Sequence, residues 1–233
     1  MLYDNVNPDK SIAVTPEQIL PVVVFYASQI NYDHAEYGTY LSQTLTTGGK
    51  SQTGTYAYKS GWEFLTMNRH PQWRRHFFDI GSNVNELIGA SEKVNSKNFI
   101  LIARTIRLMS TQLTTDMFGD MPRSEAYKSN SPKYDSQESI YEWMLSEANE
   151  LITLYNDPSW TEAPTNIKIT QKMDRIFSGD LKKWKQFTCA LKARILLRKL
   201  PNWDNTPATC QQIIDAVDAA YTADWAEPRY QYD

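Results

Sequence analysis

The sequence predicts an all-α protein. Apolar residues recur at helical steps in five segments, helix-start signals stand just ahead of several of them, and no stretch alternates with a period of two. Thr15-Pro16-Glu17-Gln18 opens the first helix: a Thr N-cap, Pro at the first helical position and Gln at the capping-box position. That helix is expected to end near Asn31. Residues 34–46 allow a further short helix. Residues 47–61, with Gly48, Gly49, Gly54 and Gly61 among Ser, Thr and Tyr, read as a long surface loop.

The second strong pattern covers about 72–90, where Trp73, Phe77, Ile80, Val84, Leu87 and Ile88 form one stripe. The third covers about 96–117, with Phe99, Ala103, Ile106, Met109 and Leu113 on one face. Gly119 stands where a left-handed cap is wanted, and Pro122 blocks continuation. Asp135 and Glu138 have capping-box spacing and lead into Ser139–Tyr155, with Ile140, Trp143, Met144, Leu151 and Tyr155 inward. Asp180 caps a fifth helix over about 181–200, with Leu181, Trp184, Phe187, Leu191 and Ile195 inward and Pro201 at its end. Thr206-Pro207 opens a sixth, ending near Tyr221. Trp73, Trp143 and Trp184 are therefore expected in the core, and Trp62, after Gly61, at least partly exposed.

The chain has 233 residues, 41% of them hydrophobic, enough to build a core. Its formal charge of −3 lacks the dominant basic field of a general nucleic-acid binder. Basic residues gather between Lys182 and Lys199, where a solvated helix face explains them better than a phosphate-binding stripe. Two cysteines, Cys189 and Cys210, define no disulfide framework. Cys189 fits a buried apolar position, and a bridge between facing helices stays open on sequence grounds. The longest near-apolar run, Ile19 to Ala27, is too short to span a membrane and contains Pro21. Met1-Leu-Tyr-Asp lacks the basic start and apolar core of a secretory signal.

Catalytic patterns are not found. His34, His70 and His76 are scattered, and Asp33-His34-Ala35-Glu36 reads as a polar loop or helix start rather than a metal site. Glu147 and Glu150 fall on an exposed helix face by pattern, where solvation explains them better than a glycosidase pair. No enzyme activity, metal or cofactor is expected.

One run is far more specific. Phe118-Gly-Asp-Met-Pro122, then Glu125-Ala-Tyr127, then Pro132-Lys-Tyr-Asp-Ser-Gln-Glu-Ser-Ile-Tyr141 resembles the central signature of SusD/RagB-like proteins, surface glycan-binding lipoproteins of Bacteroidetes. Trp73-Arg-Arg-His-Phe-Phe-Asp-Ile80 resembles an earlier helix of that family. Asp174-Arg-Ile-Phe-Ser-Gly-Asp180, followed by Lys183-Trp184 and Leu191-Lys-Ala-Arg194, resembles a second signature. Thr188-Cys189-Ala190 departs from the small polar pair more usual there. The resemblance implies tetratricopeptide-like helix pairs in a right-handed superhelical array. It implies a cell-surface protein that captures an oligosaccharide or other nutrient and passes it to a SusC-like TonB-dependent outer-membrane transporter, without catalysis. Members carry an N-terminal lipid on a cysteine; here the first cysteine is Cys189, so a processed or engineered form is expected. The matched signatures cover the N-terminal half or so of a typical member, with residues 222–233 as a linker-like tail. An uncovered apolar face is expected at one end of the array.

The chain holds 7 Trp, 14 Tyr and 8 Phe, and most of those at helical spacing belong to the core. Tyr56, Tyr58 and Trp62 lie instead among Gly, Ser and Thr, where flat rings with polar tips suit the C–H faces of sugars. The other reading is that they pin the loop to the core. Trp160, between Pro158 and Pro164, is a further candidate. Binding by stacking alone would be insensitive to salt. The alternative function is a helical-repeat scaffold that binds a peptide or protein in its groove.

Overall fold

A computed structural model describes residues 14–45, 70–201 and 205–232. Helix α1, Pro16–Leu41, begins as its cap predicts: the Gln18 Oε1 accepts from the Thr15 backbone N–H at 3.1 Å. It runs past Asn31 without a break. The reason is burial two turns apart, since Ile30 and Tyr37 both face inward and hold one helical face to the core.

The expected helix over 72–90 is three segments in one rod. These are α2, Pro71–Arg74; a π-helical stretch, Arg75–Ser82; and α3, Asn83–Lys93. The wide π turn rotates the stripe. Ile80, Val84 and Leu87 stay fully buried, while Phe77 is half-buried and Phe78 is 65% exposed. Side chains meet carbonyls of the wide turn: Asn83 Nδ2 donates to the Asp79 carbonyl at 2.7 Å.

Helix α4, Lys97–Phe118, is the central element and is buried on nearly every side. It packs against α1, the π stretch, α3, α5 (Gln137–Tyr155) and α7 (Leu181–Lys199). The short α6, Pro158–Thr161, lies between α5 and α7 in sequence, and α8, Pro207–Ala220, packs on α7. Gly119 ends α4 at φ +75, as a glycine there allows, but its ψ of −126 is not that of a left-handed helical cap. No strand occurs among the described residues beyond one isolated bridge, Met121 to Asp135. No helix among them is long and apolar enough to cross a membrane.

Asp174 shows why the second signature has its form. Its buried carboxylate accepts from the N–H groups of Ile176 at 3.0 Å, Phe177 at 3.2 Å and Gly179 at 2.8 Å, and from Trp184 Nε1 at 2.8 Å. One side chain thus folds the turn that aims α7 and locks the largest ring in the core. Gly179 at φ +79 lies so close to Ile169 that an added Cβ would sit 2.6 Å from the Ile169 Cβ.

Several expectations change. Trp184 is fully buried, but Trp73 and Trp143 are only partly so, because each lies on the border of the core beside the polar loop after α4. Asp135 does not cap α5; Ser136 does, its Oγ accepting from Ser139 N at 3.3 Å. Cys189 is buried and Cys210 exposed, and both are free thiols. Glu147 is not solvated but clasped by Arg104. In the basic run, Lys182 pairs with Asp224, Lys183 with Asp180 at 3.7 Å and Arg198 with Asp116 at 3.4 Å. The stretch 222–232 lies against the helices: Tyr230 packs edge-on to Phe25 at 5.9 Å, and the Gln231 N–H donates to the Arg175 carbonyl at 3.0 Å. An exposed apolar stripe of Cys210, Ile214, Val217 and Tyr221 follows the outer face of α8.

Candidate functional site

A cleft of about 640 Å³ opens between the π stretch, α4, α5 and the loop 119–136. Ligand sites commonly fall in this size range. Each wall has a local cause. On α4, Arg104, Arg107 and Thr111 stand at successive turns of one face and form the floor. The π stretch and α3 bring Phe77, Gly81 and Asn85 to one side, while α5 brings Trp143 and Glu147 to the other.

The loop that roofs the cleft is held by Asp135. Its backbone pairs with Met121 in both directions, at 3.1 and 3.2 Å. Its carboxylate accepts from the N–H groups of Arg123 and Ser124, each at 2.8 Å, and from the Ser124 hydroxyl at 2.7 Å. Burial acts to raise the Asp135 pKa, but these hydrogen bonds outweigh it and hold the group below its ordinary value. The loop is therefore fixed before any ligand arrives, and so are Arg123 and Tyr127 upon it.

Tyr127 sits at φ +65, a left-handed conformation unusual for a bulky side chain. Its hydroxyl donates to the Phe77 carbonyl at 2.8 Å. Half of the residue is open to solvent, but its hydroxyl end is sunk against Gly81, and burial pushes its pKa up to about 12. Strained backbone and a π-helical turn thus meet at one wall of one cleft, and each of the two is frequent at functional sites.

The charges of the floor are unevenly matched. Arg104 forms a bidentate pair with Glu147, Nε to Oε1 at 2.7 Å and Nη2 to Oε2 at 2.9 Å, and also reaches Glu150 at 3.0 Å. Burial alone would lower its pKa; the two carboxylates raise it instead. Arg107 has no such partner among the described residues. Its guanidinium donates to the Asn85 side-chain oxygen, and burial lowers its pKa. Arg123 lies over the Trp143 ring, 4.8 Å from the centroid, and its buried Nε meets no acceptor among the described residues. His76 closes the floor as a buried imidazole, its Nδ1 2.6 Å from the Ser110 Oγ. The chemistry on offer is stacking and hydrogen bonding, with a positive field.

Of the residues singled out in sequence, Tyr56, Tyr58 and Trp62 lie outside the described residues. Trp160 is half-buried on α6, packed against the core, with Lys97 Nζ 5.3 Å from its ring centroid; it does not line the cleft. Asp33, in the stretch weighed as a metal site, pairs with Arg75 at 3.1 Å. No group of three metal-ligating side chains occurs among the described residues. Sequence reasoning missed Arg104, Arg107, Arg123 and Trp143 as a set. The available signal was the pair of arginines one turn apart, the only charges between Asn98 and Thr115 of a largely buried helix.

Comparison with known proteins follows the fold. Three solved structures illustrate it. A SusD/RagB family protein from Bacteroides thetaiotaomicron is 20% identical, with a TM-score of 0.64, over 90% of this chain and 43% of its own. A SusD homologue from Parabacteroides distasonis is 22% identical, with a TM-score of 0.65, over 91% of this chain and 39% of its own. A chitin-binding protein is 23% identical, with a TM-score of 0.62, over 90% of this chain and 44% of its own. This chain thus spans about two-fifths of the length of the structures it resembles. No protein of curated function matches it. A family profile described as "Starch-binding associating with outer membrane" matches residues 9–224, nearly the whole chain, and the chain belongs to that SusD-like family.

Proposed function

We propose that this chain captures an oligosaccharide at the outer surface of the outer membrane and passes it to a SusC-like TonB-dependent transporter, without altering it chemically. Its place at the membrane would come from a lipid anchor at the precursor's N-terminus. The observation that carries this reading is the preformed cleft in a member of a starch-binding family: Trp143, Phe77 and Tyr127 supply ring surface beside hydroxyl and amide groups of Thr111, Ser110 and Asn85. The loop rings Tyr56, Tyr58 and Trp62 are proposed as an additional stacking surface, and Trp160 as a separate, weaker one.

Isothermal calorimetry of the 233-residue chain against maltooligosaccharides, chitooligosaccharides and oligouronides tests the proposal. Saturable binding that Trp143→Ala weakens at least tenfold, with unchanged glycan composition after incubation, is the expected outcome. Glycan cleavage, or binding only to peptides, would replace it with the enzyme or scaffold reading.

A further inference from the structure

We infer that the cleft takes an acidic oligosaccharide and holds its carboxylate between Arg107 and Arg123. The inference rests on the capture reading above and names the ligand class. The whole chain is negative, at −3, yet the cleft lining sets Arg104, Arg107, Arg123 and Lys128 against the single carboxylate of Glu147. That carboxylate is already engaged, both of its oxygens held by Arg104. The three acids of the roof loop are turned to other donors: Asp120 accepts from the Gln137 N–H at 2.8 Å, Glu125 from the Lys133 N–H at 3.1 Å, and Asp135 from backbone N–H groups and the Ser124 hydroxyl. Among the described residues, Lys128 Nζ donates to the Ser124 carbonyl at 3.0 Å and to no carboxylate.

Two guanidinium groups are thereby left with no carboxylate in hydrogen-bonding contact among the described residues, Glu147 acting on Arg107 and Asp135 on Arg123 only through space. Arg107 is held by the neutral amide of Asn85, and Arg123 has a buried Nε with no acceptor. A partly buried cation with no directly bonded anion is costly, and a planar carboxylate is the shape that a guanidinium fork binds best. A neutral sugar brings only hydroxyl oxygens, which would leave that charge unmatched. Phe77, Tyr127 and the uncovered part of Trp143 line the same cleft as the two guanidinium groups, so apolar contact and ion pairing can fall on one ligand. The competing account is that Arg107 merely braces α4 to α3 through Asn85, with no ligand role.

Calorimetry with the 233-residue chain separates the two, using trigalacturonate and maltotriose as probes at 50 and 300 mM NaCl. Trigalacturonate is expected to bind at least tenfold more tightly than maltotriose and to weaken severalfold at the higher salt. Arg123→Gln, on the roof, is expected to weaken the acidic probe ten- to hundredfold and at least fivefold more than it weakens the neutral one. Arg107→Gln is expected to do the same, with Arg107→Lys recovering part of the loss; melting curves check that each variant is folded. Equal affinity for both probes, or acidic binding indifferent to salt and to both substitutions, would overturn the inference and leave the capture reading standing. Failure of acidic and neutral glycans alike to bind would overturn both.

Discussion

Tyr127 occupies the space that a side chain on Gly81 would need. The Tyr127 hydroxyl lies 1.7 Å from where a Gly81 Cβ would stand, and it donates to the Phe77 carbonyl one turn earlier at 2.8 Å. A glycine in the last turn of the π stretch is therefore what lets the roof loop dock on the wall. The pair fixes the cleft's shape from two elements far apart in sequence.

Gly81→Ala is expected to expel the Tyr127 ring and destabilise the protein by about 1–3 kcal/mol. The cost should fall in a Tyr127→Ala background, because part of the clash is then gone. Part will remain, since the His76 carbonyl is 2.8 Å from the same point. Chemical denaturation of the four proteins of the cycle measures the coupling. Additive effects would mean that the two residues do not share the space.

How much of this was legible in sequence follows from which interactions are local. Thr15, Asp180 and Thr206 announced their helices because a cap acts within one turn. The stripe on α4 was legible because burial repeats with the helix period. Asp135 was misplaced because its partners, Arg123 and Ser124, lie in a loop about a dozen residues upstream, a pairing that no period encodes. The π turn escaped for the same kind of reason: Trp73, Phe77 and Ile80 fit an α stripe, and the register shift shows only once Gly81 meets Tyr127. Of the cleft, sequence held the Glu125-Ala-Tyr127 motif but not its destination. The family, by contrast, was legible from two signatures whose structural roles are now visible in Asp135 and Asp174.

Asp174→Ala is expected to cost about 3 kcal/mol or more, since it strips an acceptor from four donors at once. Trp184→Phe keeps an aromatic ring but removes one of the four donors and part of the buried indole's volume, so a loss of about 1–3 kcal/mol is expected. Urea unfolding with intrinsic fluorescence or circular dichroism measures both. An Asp174→Ala variant as stable as the parent would show that the turn folds without its carboxylate.

The two cysteines should differ sharply towards a thiol reagent. Cys210 is exposed on α8, whereas Cys189 is buried in α7 with its pKa raised by burial. Ellman's reagent is expected to titrate one thiol quickly in the native protein and the second only on unfolding. Two fast thiols would contradict the packing of α7, and none would indicate a bridge that the structure does not contain.

His76 gives the pH dependence its sign. The imidazole is buried beneath the cleft; burial first, and then the charge of Arg107, lower its pKa from 6.5 to about 3. Below about 6.5 the unfolded chain takes up a proton that the folded chain refuses until about 3. The unfolded state therefore binds more protons in that window, and stability must fall on acidification. Burial lowers the His34 pKa as well, and it acts in the same direction. Asp135 and Glu150, whose folded pKa values are depressed, add their losses only at lower pH, where carboxylates titrate. Between pH 6.5 and 5 the histidines dominate, and His76 accounts for a slope of up to about 1.4 kcal/mol per pH unit. Urea unfolding at pH 7, 6 and 5 is expected to show this decline, and His76→Gln, which cannot titrate, should flatten much of it. An unchanged slope in that variant would mean that the His76 ring is charged, or open to water, in the folded protein.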